Sequence, residues 1–79
     1  MSKYIYSDFI PEYTHPDDID IAFTPGKRYE VLDEFNHDNF HQYQVMVRDD
    51  NGVLRGPINI GWPCAFLDGK KWTVVIEEL

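Results

Sequence analysis

The most regular polar–apolar alternation in the chain is "QYQVMVR", residues 42–48. Tyr43, Val45 and Val47 fall on one face, and Gln42, Gln44 and Arg48 on the other. That period of two predicts a half-buried strand. "RYEVLDEF" precedes it with the same period, placing Tyr29 and Val31 inward and Glu30 and Leu32 outward, and the polar loop "NHDNFH" separates the two. After it, Asn51-Gly52 predicts a two-residue type I′ hairpin, because both residues tolerate positive φ and the twist of that turn matches its strands. "VLRGPINI" reads as the returning strand, bent or frayed at Gly56-Pro57. "WTVVIEEL" is a further strand with Trp72, Val74 and Ile76 on its inner face. The broken stretch "GWPCAFLDGKK" before it fits one 3₁₀ turn over residues 63–66.

The beginning of the chain lacks such a period. "SDFIPEYTHPDDIDIAF" mixes Asp8, Glu12, Asp17, Asp18 and Asp20 with Phe9, Tyr13 and Phe23, and Tyr4 and Tyr6 lie just upstream. Pro11 and Pro16 suit neither a helix interior nor a sheet ladder. An irregular arm over residues 1–22 is expected, laying its aromatics on a domain over residues 23–79. Within the arm, "PDDIDIAF" reads either as one helical turn opened by Pro16 or as an extended edge strand alternating at Ile19, Asp20 and Ile21, and the alternation favours the second. "TPGK" reads as a type II turn, with Pro25 presetting φ and Gly26 accepting positive φ. Five short strands, no long helix and one 3₁₀ turn predict an all-β domain, a small five-stranded barrel.

Composition narrows the chemistry. Seventy-nine residues make one domain with a thin core. Two Trp, five Tyr and five Phe can fill such a core, since each aromatic buries ~150–250 Å². Cys64 is the single cysteine, so an internal disulfide and a cysteine-built zinc site are excluded and a reducing compartment is expected. No apolar run is long enough to span a bilayer, and "MSKYIYSDF" lacks the layout of a signal peptide. A soluble cytoplasmic protein is expected. Fourteen acidic residues against seven basic ones give a net charge of −7, which disfavours direct binding to phosphate backbones.

Three segments carry a family resemblance. "FTPGKRYEVLDE" looks like the diverging-turn region of SH3 domains, "MVRDDNGVLRG" is similar to their distal hairpin, and "WPCAFL" followed by "WTVVIEEL" resembles the 3₁₀ segment and last strand. The order also resembles small SH3-like proteins encoded by bacteriophages. The resemblance covers residues 23–79 and implies an SH3-like barrel. The Ala-Leu-Tyr-Asp-Tyr run of peptide-binding members is missing, and no tryptophan opens the strand after "NHDNFH". Of the ligand-contacting positions, Pro63 and Phe66 alone carry over, so the resemblance does not by itself imply binding to proline-rich peptides.

No catalytic constellation emerges. His37 and His41 have a spacing that suits a metal on a helix, but they lie in a loop without a third ligand, so no metal and no cofactor are expected. A small buried thiol is expected at Cys64. Trp62 reads as a plug of the barrel end or as an interface anchor. These features point to a protein-interaction module. The contact would be made by Asp8, Glu12, Asp17, Asp18 and Asp20, joined by Asp33, Glu34 and Asp38, and by Trp62, Pro63 and Phe66, with Asp49 and Asp50 adding to the acidic exterior. If the phage resemblance holds, the partner is a host protein that binds nucleic acid, inhibited by carboxylates standing where phosphates would lie. The alternatives are a self-associating structural subunit and, against the charge, a nucleic-acid-binding barrel.

Overall fold

Tyr4, Ile5 and Tyr6 are strong strand formers, and they place the first strand inside the segment expected to be an irregular arm. The computed structural model describes residues 2–37, 42–61 and 63–77. Six strands are assigned among them: β1 (Ser2–Tyr6), β2 (Tyr29–Glu30), β3 (Asp33–His37), β4 (Gln42–Arg48), β5 (Leu54–Ile60) and β6 (Thr73–Glu77), with a 3₁₀ turn at Ala65–Leu67 before β6. They form two three-stranded antiparallel sheets, ordered β2-β1-β6 and β3-β4-β5, which do not close into a barrel. No helix among the described residues is long and apolar enough to cross a membrane.

The predicted strand "RYEVLDEF" is divided between the two sheets. Val31 donates its N–H to the Lys3 carbonyl of β1 at 2.8 Å, and Leu32 donates to the Met46 carbonyl of β4 at 2.9 Å. One residue therefore belongs to each sheet, and the chain bends between them. A period of two reports the exposure of each side chain but not which neighbouring strand its backbone meets, so the break has no signature in the pattern.

Ile5, Val45, Val47, Ile58 and Leu67 are fully buried, and Ile21, Phe23, Tyr29, Cys64 and Trp72 complete the core. The Phe23 ring lies at its aromatic centre. It meets Tyr29, Trp72 and Phe66 edge-on, with centroid separations of 5.0, 5.2 and 6.3 Å. Such T-shaped pairs add to simple area burial.

Several expectations are corrected. The arm is irregular only after Tyr6, because Pro11 and Pro16, which argued against a strand, lie downstream of β1. Ile19 and Ile21 do not alternate in an edge strand. Asp18 N–H bonds the His15 carbonyl and Ile21 N–H bonds the Asp18 carbonyl, making consecutive turns that leave Ile19 exposed and Ile21 buried. Ile76 is 54% exposed, although Trp72 on the same predicted face is buried. Its β1 partner is Lys3, whose ammonium reaches out to Glu34, so the position lies at the open mouth between the sheets.

The hairpin also differs from a two-residue type I′ turn. Gly52 has a φ of 77° while Asn51 has none of the positive φ that such a turn requires. Gly52 N–H bonds the Asp49 carbonyl, and Asp49 N–H bonds the Val53 carbonyl. This is the three-residue loop in which a type I turn is followed by a left-handed glycine. The reason is Asp49, whose Oδ1 accepts the N–H groups of Asn51 and Val53 and so holds the longer loop. Beyond it, Gly56 and Pro57 lie opposite Met46 alone, giving a β-bulge between Val45 and Val47. The returning strand bends there without ending.

Candidate interaction surface

The charged residues sort into those that hold the fold and those that have no partner. Lys3 pairs with Glu34 at 2.6 Å, Lys27 with Asp50 at 2.5 Å, and Arg28 with Glu77. Arg55 pairs with Asp49 at 2.9 Å and with Asp20 at 3.3 Å. Arg48 donates to the Gly52 carbonyl, and Lys70 stands over the Phe9 ring. Among the described residues, Asp8, Glu12, Asp17, Asp18, Glu30, Asp33 and Asp68 have no Lys or Arg partner. Asp17 lies 3.7 Å from His15 Nδ1. That nitrogen also accepts the Asp17 N–H at 3.2 Å.

Most of this uncompensated charge lies on the segment between β1 and β2 and on the turn after the 3₁₀ segment. Two anchors position that segment. At its start, Ser7 Oγ donates to the Phe9 carbonyl and accepts the Phe9 N–H, closing a local turn. In its middle, the half-buried Tyr13 donates its hydroxyl to the Phe66 carbonyl at 2.7 Å, tying the segment to the 3₁₀ turn. Burial pushes the Tyr13 phenol up to about 12, and the negative potential of Cys64, Asp68 and Asp18 adds to the shift. Tyr13 is thus a neutral donor with two carboxylates close by.

The expected site residues are only partly brought together. Asp18 stands near Tyr13 and Phe66, and Glu12 and Asp17 are exposed close by in the chain. Pro63 is exposed two residues before the 3₁₀ turn and Phe66 is half-buried within it. Asp8 faces Gly26 at the turn before β2. Asp33 and Glu34 belong to β3, and Glu34 accepts from both Lys3 and the Tyr43 hydroxyl. The Lys3 ammonium, then the Tyr43 hydroxyl, hold the Glu34 carboxyl below its usual range. Trp62, Asp38 and His41 lie outside the described residues, and so does any pairing of His41 with His37. Asp68 was missed. It takes a left-handed φ of 51° directly after the 3₁₀ turn, and its Asp-Gly dipeptide was the available signal.

Asp20, whose side chain is exposed, also acts as a latch. Its carbonyl accepts Asn51 Nδ2 at 3.1 Å and Arg55 Nη2 at 3.2 Å, while its carboxylate meets Arg55. Asp49 is buried and not part of an acidic exterior, whereas Asp50 is exposed but its charge is met by Lys27. The Asp49 side chain is 0% exposed, and its Oδ2 takes Arg55 Nε at 2.9 Å and the Ala22 N–H at 3.4 Å. Asp50 accepts from Lys27, Thr24 Oγ1 and the Tyr29 hydroxyl, and its own N–H donates to the Ala22 carbonyl at 2.7 Å. The hairpin acids therefore clamp residues 20–24 to the loop at residues 49–53.

An open groove of about 500 Å³ runs beside the bend between the sheets, lined by Ser2, Lys3 and residues 30–34. Among the described residues, no three His, Cys, Asp or Glu side chains converge as a metal site. No known protein family matches the chain, and neither does any curated protein or any solved structure.

Proposed function

We propose that this chain is a protein-interaction module acting in the cytoplasm, whose contact surface is the acidic segment around Tyr13 and the adjoining 3₁₀ turn. The observation carrying this reading is the division of charge among the described residues: five carboxylates serve the fold by pairing with Lys or Arg, while Glu12, Asp17, Asp18 and Asp68 have no Lys or Arg partner, and Asp18 and Asp68 lie close to the anchored Tyr13. Such a surface suits a basic protein, and a nucleic-acid-binding protein is the partner class whose groove already accommodates regularly spaced anions. A phage-encoded inhibitor of a host enzyme is one form of this reading. The reading includes an SH3-like architecture, for which the support is the bend at Val31-Leu32 between two three-stranded sheets and the 3₁₀ turn before β6. The contact residues are Glu12, Asp17, Asp18, Asp68, Pro63 and Phe66.

The test is affinity capture from a bacterial lysate followed by association kinetics with the recovered protein. Glu12→Lys, Asp17→Lys and Asp18→Lys together slow association by about tenfold at low salt and leave folding intact, because Glu12 and Asp17 are exposed, the half-buried Asp18 has no Lys or Arg partner among the described residues, and such charges contribute little to stability. The wild-type association rate falls as salt rises. A triple variant that associates as fast as wild type at both salt concentrations rejects the acidic surface.

A further inference from the structure

Strand β6 has one bonded edge and one open edge. Val31 donates its N–H to the Lys3 carbonyl, so Lys3, and by antiparallel alternation Ile5, turn their backbone groups toward β2. Ser2, Tyr4 and Tyr6 then turn theirs toward β6, where they face Glu77, Val75 and Thr73. The N–H and C=O groups of Val74 and Ile76 are left pointing away from β1. No hydrogen bond meets them among the described residues.

Proteins commonly guard such an edge with proline, lysine or a bulge. The edge strand β5 carries both a proline and a bulge at Gly56-Pro57. Strand β6 reads "TVVIE" and has none of these devices, and its Ile76 is half exposed. An unguarded strand of β-branched residues is a template for another strand.

We infer that this edge pairs antiparallel with β6 of a second copy of the chain, centred on Val74, joining two β2-β1-β6 sheets into one. The two-fold axis restricts the register, because outward-facing residues must oppose outward-facing residues. With Val74 opposite Val74 of the second copy, Trp72 stands opposite Ile76. Lys71 then stands opposite Glu77, twice per dimer, and adds a second cation to a carboxylate that Arg28 of its own chain already meets. Lys71 is exposed and has no acidic partner among the described residues. Opposite charges facing each other across a strand pair select such a register. The contact is made by residues 71–77, none of which is among the residues of the proposed partner surface. Because the paired edges are short, the dimer forms at high micromolar concentration.

Sedimentation equilibrium of the whole chain tests this. The wild type shows a concentration-dependent dimer, and Lys71→Glu weakens it by about tenfold, since two attractive pairs become repulsive. Lys71→Glu combined with Glu77→Lys restores it. Ile76→Pro abolishes the dimer, because it removes an N–H that β1 does not use, and circular dichroism reports whether the monomer keeps its sheet signal. A wild type that is monomeric throughout overturns the inference. So does a dimer indifferent to the charge changes, or a double variant that stays as weak as Lys71→Glu. Should Ile76→Pro fail to fold, the charge exchange alone decides.

Discussion

Gly56→Ala lowers the stability of this domain by about 4 kcal/mol, combining backbone strain with overpacking. A Cβ built at Gly56 lies 2.7 Å from the Val45 carbonyl oxygen and 2.6 Å from Met46 Sδ. The methionine can swing away, but the carbonyl belongs to the central strand of its sheet and cannot. The φ of 143° is a further obstacle for any side chain. A domain of this size is stable by about 4–12 kcal/mol in total, so the substitution removes from about a third to all of it. Urea denaturation followed by circular dichroism measures the loss. Gly52 provides the contrast: its φ is 77°, and a Cβ there meets nothing within 4 Å. Gly52→Val therefore costs only the left-handed strain of a β-branched residue, about 2 kcal/mol. Equal losses at the two glycines would show that close approach at the bulge is not what Gly56 provides.

Asp49→Ala costs about 3 kcal/mol, as expected when one partner of a buried ion pair is removed. The carboxylate accepts from Arg55 and from the N–H groups of Asn51, Val53 and Ala22. Deleting it leaves those donors without their acceptor and frees residues 20–24 from the hairpin. Asp49→Asn keeps the shape but removes the negative charge that faces Arg55, and the loss is about half as large. Burial pushes the Asp49 carboxyl up, but Arg55 and the three backbone donors pull it down further, leaving it below its ordinary value. A carboxyl held low in the folded state stabilises above its unfolded value of about 4. That contribution is lost as pH falls through the folded value. Wild-type stability therefore declines with acid below about pH 4, and Asp49→Asn declines less steeply. Chemical denaturation between pH 2 and 7, an interval of about five units spanning both protonation states, compares the slopes. Parallel curves would show that Asp49 does not carry the acid sensitivity.

The candidate surface was legible as a set of residue types but not as a set of roles. The acidic run from Asp8 to Asp20 stands out in the sequence, and Pro63 and Phe66 carry the resemblance. What the run does differs residue by residue. Asp18 stands near Tyr13, Asp8 turns toward Gly26, and Asp20 is held by Arg55. Carboxylates read alike along a chain, and only the position of the nearest cation separates a clamp from a free charge. Arg55 lies 35 residues from Asp20, far beyond the reach of any local pattern.

Local physics alone determined the all-β class, because a side-chain period of two, punctuated by Gly, Pro, Asn and Asp, is a property of neighbouring residues. It also determined that Val45, Val47, Tyr29 and Trp72 face the core, and that the chain turns near Asn51-Gly52 and bends at Gly56. Tertiary structure decided what depends on partners distant in sequence. It drew residues 2–6 into the middle of a sheet, since a central strand is defined by two neighbours. It split one strand between two sheets at Val31 and Leu32, where successive N–H groups find acceptors on different strands. It lengthened the hairpin loop by burying Asp49 under Arg55, because a buried carboxylate must gather every donor within reach. Among the described residues it left the outer edge of β6 unpaired, a property that belongs to the sheet and not to the strand.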